Sequence, residues 1–306
     1  LSVGVATVPG VTSAAEFAEF ARARLPQPFA DRWISLLRPA VVFPGDPDAP
    51  EGPGLRTGGE PLLPEGVNWP MFEDRIPMSF IAELDCAALT TVGAPELTPQ
   101  NGHLLFFCVD YRYEPEDPND DWSSRTTPWT AGSVIYLPEG TARRQRRTPH
   151  GLEALEPDLR PARAASTPPS LSAELAGRYF GPEAPAMLER HMEPVRFGRK
   201  PSAAETYPLW AEEFALGIHD LRCYAQSGGH SYSVQRPVEL EAARSALRRN
   251  GAIEPDEREV LDEAPHWRVL LQDSVDDYGD MIGYWLLRED DLAAGRFDQV
   301  YFGMQR

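Results

Sequence analysis

Residues 78–85 read Met-Ser-Phe-Ile-Ala-Glu-Leu-Asp, and residues 102–109 read Gly-His-Leu-Leu-Phe-Phe-Cys-Val. Side chains of a strand alternate between two faces. The first stretch therefore predicts a strand with Met78, Phe80, Ala82 and Leu84 on one side and Ser79, Ile81 and Glu83 on the other. The second is apolar at both parities, which predicts a central strand covered on both faces. A further strand is expected over 133–137. The pattern then returns near the C-terminus. In the first half a glycine pair (Gly58-Gly59), Trp69 and a strand ending Glu83-Leu84-Asp85 precede the aromatic strand. In the second, Gly228-Gly229, Trp267 and Val269-Leu270-Leu271-Gln272-Asp273-Ser274 precede Gly283-Tyr284-Trp285-Leu286-Leu287. Two units are too few for a solenoid. They predict an α+β fold in which two similar β-rich halves, related by internal duplication, pack about a pseudo-two-fold axis.

Peripheral helices are expected around this frame. Ser13-Ala-Ala-Glu16 has capping-box spacing ahead of Phe17, Phe20 and Leu25. A short helix is expected over 31–37, broken by Arg38-Pro39 because proline disfavours helical geometry in the residue before it. Others are expected at 171–180, 183–192 and 208–216. Pro237 opens a further helix to about Arg249, since a proline N–H would have no partner there anyway. The acids Glu289-Asp290-Asp291 open a last short helix, which Gly295 stops, and residues 297–304 read as a final strand. Residues 44–70 read as ordered loop. Residues 138–170 read as a Pro-rich linker whose run Arg143-Arg144-Gln145-Arg146-Arg147 is either an interaction patch or, as such runs more often are, a solvated loop that can pair with an acidic surface of the same molecule. The chain thus divides into an N-terminal helical segment (1–38), a first β-rich half (39–137), a linker and helical insertion (138–219) and a second β-rich half (220–306), forming one compact unit.

Composition narrows the partners. The chain has 306 residues, 42% of them hydrophobic and 25% charged, which is globular. Its net charge of −18 repels phosphate backbones and anionic bilayers, so neither nucleic acid nor membrane is an expected partner. No run of apolar residues is long enough to span a bilayer, and Leu1–Gly10 lacks the basic start of a signal peptide. Three cysteines without a C-x-x-C pair fit a reduced, cytoplasmic protein.

The stretch Arg56-Thr57-Gly58-Gly59-Glu60-Pro61-Leu62-Leu63-Pro64 with Trp69-Pro70, the strand 80–85, the Gly102…Phe106-Phe107 strand, Gly228-Gly229-His230…Gln235 and Leu270-Leu271-Gln272-Asp273-Ser274 together resemble the YwqG-like family of bacterial proteins. The resemblance implies an α+β fold with duplicated halves and carries no assigned reaction. Some relatives lie near bacterial toxin systems, which implies an immunity or accessory role. This chain has Glu83 where the family usually has Gln, and its Asp280-Met281-Ile282-Gly283 turn departs from the family pattern.

Two sets of residues are candidates for chemistry. If a pseudo-dyad brings equivalent strand ends together, Glu83, Asp85, Gln272 and Asp273 line one cleft, approached by Arg56 and Gln235 from the glycine-rich segments. Carboxylates beside an arginine suit acid–base work, because their surroundings push their pKa values apart. The structural alternative is that these groups satisfy loop backbone where the halves meet. His230, between a glycine and a serine, is a further candidate. Asp273, Asp276, Asp277 and Asp280 form a loop whose oxygens suit a hard divalent cation, although the order is not that of an EF-hand and a hairpin turn explains it as well. No other cofactor is expected. Ser231 has no recognisable triad, Cys108 reads as a packed thiol, and Trp69, Trp267 and Trp285 read as core. Two functions follow. One is a binding protein that recognises a protein or small ligand through the inter-repeat cleft or acidic face. The alternative is a hydrolase using the cleft carboxylates, with or without a divalent cation.

Overall fold

The computed structural model describes residues 14–44, 54–93, 98–110, 125–169, 173–182, 224–233, 235–275 and 281–306. In chain order these form α1 (Ala14–Arg24), α2 (Gln27–Ile34), β1 (Arg38–Pro44), β2 (Gly54–Thr57), β3 (Leu62–Leu63), β4 (Met71–Phe72), β5 (Ile76–Pro77), β6 (Ser79–Asp85), α3 (Cys86–Thr91), β7 (His103–Cys108) and β8 (Gly132–Leu137). There follow β9 (Arg144–Gln145), β10 (Asp158–Pro161), β11 (Arg163–Thr167), α4 (Ala173–Phe180), β12 (Tyr224–Gly228), α5 (Val238–Arg249), α6 (Glu257–Glu263), β13 (Trp267–Ser274), β14 (Ile282–Arg288), α7 (Glu289–Ala293) and β15 (Tyr301–Gln305). The expected helices at 183–192 and 208–216 and the capping residue Ser13 lie outside the described residues.

The fold is α+β, built on two antiparallel sheets. The first has the order β10-β2-β6-β7-β8 and the second β11-β1-β12-β13-β14-β15. They face each other across one apolar core. Leu55, Leu84, Leu104 and Phe106 come from the first sheet, and Val41, Phe43, Leu271, Trp285 and Phe302 from the second. The Trp285 ring lies 5.5 Å from that of Phe106 and 4.8 Å from that of Phe302. Its indole N–H donates to Phe107 O at 3.1 Å, so the largest side chain of the core leaves no buried donor unpaired. Each sheet is also covered outside. Leu63, Phe72, Phe80, Leu105 and Phe107 pack under the small β3–β9 and β4–β5 ribbons. On the other sheet Trp267, Val269, Tyr284 and Leu286 pack with residues of α5 and α6. Double coverage is why β6, β7, β13 and β14 are apolar at nearly every position.

Four expectations change. First, β6 does not alternate throughout. Its pairing with β7 shifts register between Phe80 and Ala82, leaving Ile81 as a β-bulge. Phe80 therefore packs on the outer face while Ala82 and Leu84 face the inter-sheet core, rather than all three sharing a side. β13 carries the same irregularity between Val269 and Leu271. Second, the Pro-rich stretch is not a linker throughout: β10 and β11 lie at one edge of each sheet. Edge strands tolerate proline, as at Pro161, because one row of their backbone groups has no ladder partner. Third, the 44–70 loop contains β2 and β3. Fourth, Arg38-Pro39 opens a strand, and β1 pairs with β12 in the second sheet although it lies in the first half of the sequence.

Candidate functional site

Arg56 on β2 and Glu83 on β6 are opposite one another in the ladder, and both project from the outer face of the first sheet. Arg56 Nη2 donates to Glu83 Oε2 at 2.7 Å, and Arg143 Nη1 donates to Glu83 Oε1 at 2.6 Å. Only 9% of the Glu83 side chain is exposed, against 28% for Arg56 and 19% for Arg143. His103 joins the group: Arg143 Nη2 lies 3.0 Å from His103 Nε2. Guanidinium only donates, so Nε2 must accept and the ring proton sits on Nδ1. That atom is 3.1 Å from Glu83 Oε1, but not aligned for a hydrogen bond. Arg56 also donates to Gly58 O and Glu60 O and lies over the Phe80 ring. The arginine run supplies two more anchors to the same molecule, with Arg144 to Glu65 and Arg146 to Val67 O.

The other candidates do not join this cluster. Asp85 is the N-cap of α3 and accepts from Ala87 N at 3.0 Å. Gln272 lies opposite Gln226 on the outer face of the second sheet and accepts from Tyr232 N at 2.8 Å. Asp273, one residue on, faces the first sheet, where Arg160 of β10 donates to it at 3.2 Å. Glu83, Asp85, Gln272 and Asp273 thus do not line one cleft. The sheets meet through their apolar faces, and that turns Glu83 and Gln272 away from each other. Burial raises the Asp273 carboxyl to about 6, outweighing the opposing pull of Arg160.

His230 is buried beneath β1. Its backbone N–H donates to Thr167 Oγ1 and its Nε2 lies 2.9 Å from Leu36 O, a contact that requires the proton on Nε2. Burial, with help from Arg38, lowers it to about 3, so it is neutral at neutral pH. Ser231 beside it bonds Glu239 and Ser233 rather than a histidine. Gln235 is exposed and bonds Arg306 O near the end of β15. Cys86 and Cys108 are buried, and burial pushes the Cys86 thiol up to about 12, far from a thiolate nucleophile. Asp276, Asp277 and Asp280 lie outside the described residues. Among the described residues no three metal-ligating side chains converge, and no helix is long and apolar enough to cross a membrane.

A groove of about 880 Å³ lies where the ends of the two sheets meet. Arg38, Pro39, Gly229 and Arg268 line it from the second sheet and its loops. Thr98, Pro99, Gln100 and Tyr136 line it from the first, and Leu292 and Phe297 complete one wall. Arg268 is partnered by Glu289 and donates to Pro265 O and Trp267 O. Burial and the neighbouring Arg38 lower it to about 10. Volume and mixed lining suit a small-molecule site. Sequence reading missed His103, Arg143 and this groove. The arginine run and the histidine directly after Gly102 were visible signals for the first two, whereas the groove arises only from assembly of the sheets.

Residues 56–305 match the family described as a domain of unknown function, DUF1963, and the chain belongs to it. No curated protein matches the chain.

Proposed function

We propose that this is a binding protein of the cytoplasm whose groove between the two sheets takes a small ligand. The observation that carries the reading is the groove itself, whose volume falls within the range of small-molecule sites and whose walls come from both halves of the chain. The hydrolase alternative ranks lower because its carboxylates are engaged: Glu83 by two guanidiniums, Asp85 by a helix N-terminus, Asp273 by Arg160.

The duplication is part of the proposal, as is kinship with the YwqG-like proteins. Gly58-Gly59 and Gly228-Gly229 follow equivalent strands with φ of 63°, 67°, 70° and 70°. Arg56 bonds the carbonyls two and four residues ahead, and Gln226 does the same. The bulges at Ile81 and Leu270 precede Glu83 and Gln272 by equal steps. Coincident turn, bulge and side-chain bonding are what a common ancestor of the two halves would leave.

Native mass spectrometry of the gently purified chain tests the binding function, alongside Ala293→Trp, which places an indole in the groove from exposed α7. A retained small molecule that the variant lacks supports it. Identical spectra and identical melting responses to a metabolite library assign the groove no role. A divalent ion removed by EDTA would instead revive the cation-dependent hydrolase.

A further inference from the structure

The charges in the groove define its occupant more narrowly. Resting on the binding function above, the geometry points to a small molecule that carries a carboxylate or phosphate on an apolar body, anchored by Arg38. Two guanidiniums line the groove. Arg268 is matched, since Glu289 pairs with it and two backbone carbonyls accept from its Nη1. Arg38 is not. Its Nη2 donates to Pro265 O at 3.0 Å, and among the described residues no carboxylate lies within ion-pair distance of it. A half-buried guanidinium with one neutral acceptor leaves the rest of its planar fork uncommitted, and that fork matches the two oxygens of a carboxylate or phosphate.

The carboxylates nearby pair with Arg268 or act on it. Glu239 acts on Arg268 and accepts from the backbone N–H and the hydroxyl of Ser231. His230, close to both arginines, stays neutral. The groove therefore presents one guanidinium, Arg38, with no carboxylate partner among the described residues, in a chain of net charge −18. An anion that enters the groove meets that guanidinium. The body of the ligand has apolar neighbours in Pro39, Pro99, Leu292 and Phe297, with Tyr136 packed against Phe297 at 5.6 Å between ring centroids.

Isothermal titration of the full chain with benzoate, phenyl phosphate and neutral benzamide, at low ionic strength, tests the assignment. At least one anion should bind, and benzamide should bind at least about tenfold more weakly. Which anion binds tells a carboxylate from a phosphate site. Arg38→Ala should remove the preference for charge, Arg38→Lys should keep part of it, and Ala293→Trp should abolish binding of every probe. Equal binding of benzamide and the anions, lost in Ala293→Trp, overturns the anionic ligand while leaving the groove a site. Anion binding that survives both Arg38→Ala and Ala293→Trp overturns the groove as well, as does failure of all three probes to bind. Should Arg38→Ala fail to fold, the difference between anions and benzamide in the native chain, and its loss in Ala293→Trp, still decides the matter.

Discussion

The outer faces of the two sheets solve one structural problem with opposite chemistry. On the first sheet, Arg56 reaches around the Gly58-Gly59 turn and meets Glu83 across the ladder. On the second, Gln226 reaches around Gly228-Gly229 with Gln272 opposite. Gln226 and Gln272 are each 1% exposed, whereas the Arg56 side chain keeps 28% of its surface. Desolvating an amide costs far less than desolvating an ion, so the neutral version is buried fully. The charged version stays nearer water and recruits Arg143 to occupy the second carboxylate oxygen, with His103 bonded to Arg143. The lesson is that backbone geometry, not the charge of the side chain, is what the two sheets hold in common.

Breaking the charged version should have the largest effect. Glu83→Ala leaves two partly buried guanidiniums facing each other and should cost about 3–5 kcal/mol by urea unfolding. Arg56→Gln combined with Glu83→Gln, which imitates the second sheet, should cost less than that single change. A larger loss in the double variant would sink the comparison. Asp273 comes next. Its folded carboxyl titrates near 6, above the ordinary 3.8, so between these values the folded chain holds a proton that the unfolded chain has released. Its contribution is therefore full below the ordinary value and is lost as pH rises through 6, a fall of about 3 kcal/mol. Asp273→Asn should flatten that part of the stability–pH profile, and an unchanged slope would refute the assignment. Breaking the neutral version should cost less: Gln272→Ala strands the Tyr232 N–H, for about 1–3 kcal/mol in the same unfolding experiment. Smallest is Asp85→Ala, which removes the N-cap of α3 for about 1 kcal/mol. A loss of several kcal/mol there would mean that Asp85 has a partner beyond Ala87.

The legible parts of the fold were those with strong apolar runs. β7, β13 and β14 stand out because both faces of their sheets are buried, β8 because Val134-Ile135-Tyr136-Leu137 is a short apolar run, and α5 because Pro237 marks its start. β10 and β11 were hidden: Asp158-Leu159-Arg160-Pro161 and Arg163-Ala164-Ala165-Ser166-Thr167 sit at sheet edges, where burial places few demands on composition. The bulge at Ile81 leaves no mark in the sequence, since an extra apolar residue in an apolar strand looks like any other. The capping box of α6, Asp256 with Glu259, was legible and was missed. At the candidate site Arg56 was expected near a cleft of Glu83, Asp85, Gln272 and Asp273, and of these four it bonds Glu83. A cleft shared with Gln272 and Asp273 was not what formed, because strand parity turns on a single inserted residue in each half. Arg160, the partner of Asp273, lay in a stretch read as linker.

The placement of β1 bears on how the chain reaches its fold during synthesis. Every strand of the first sheet lies between residues 54 and 161, so that sheet has all its pairing partners as soon as this segment has left the ribosome. β1 is made earlier, yet one of its neighbours is β12, which begins at Tyr224. Its row of backbone groups on that side must wait, solvated or shielded, while most of the chain is translated. Closing so long a loop is slow, and an unpaired apolar strand such as Val41-Val42-Phe43 is a target for misassociation in the interval. Vectorial synthesis thus makes the first sheet a template on whose inner face β1 can rest until the second sheet is complete.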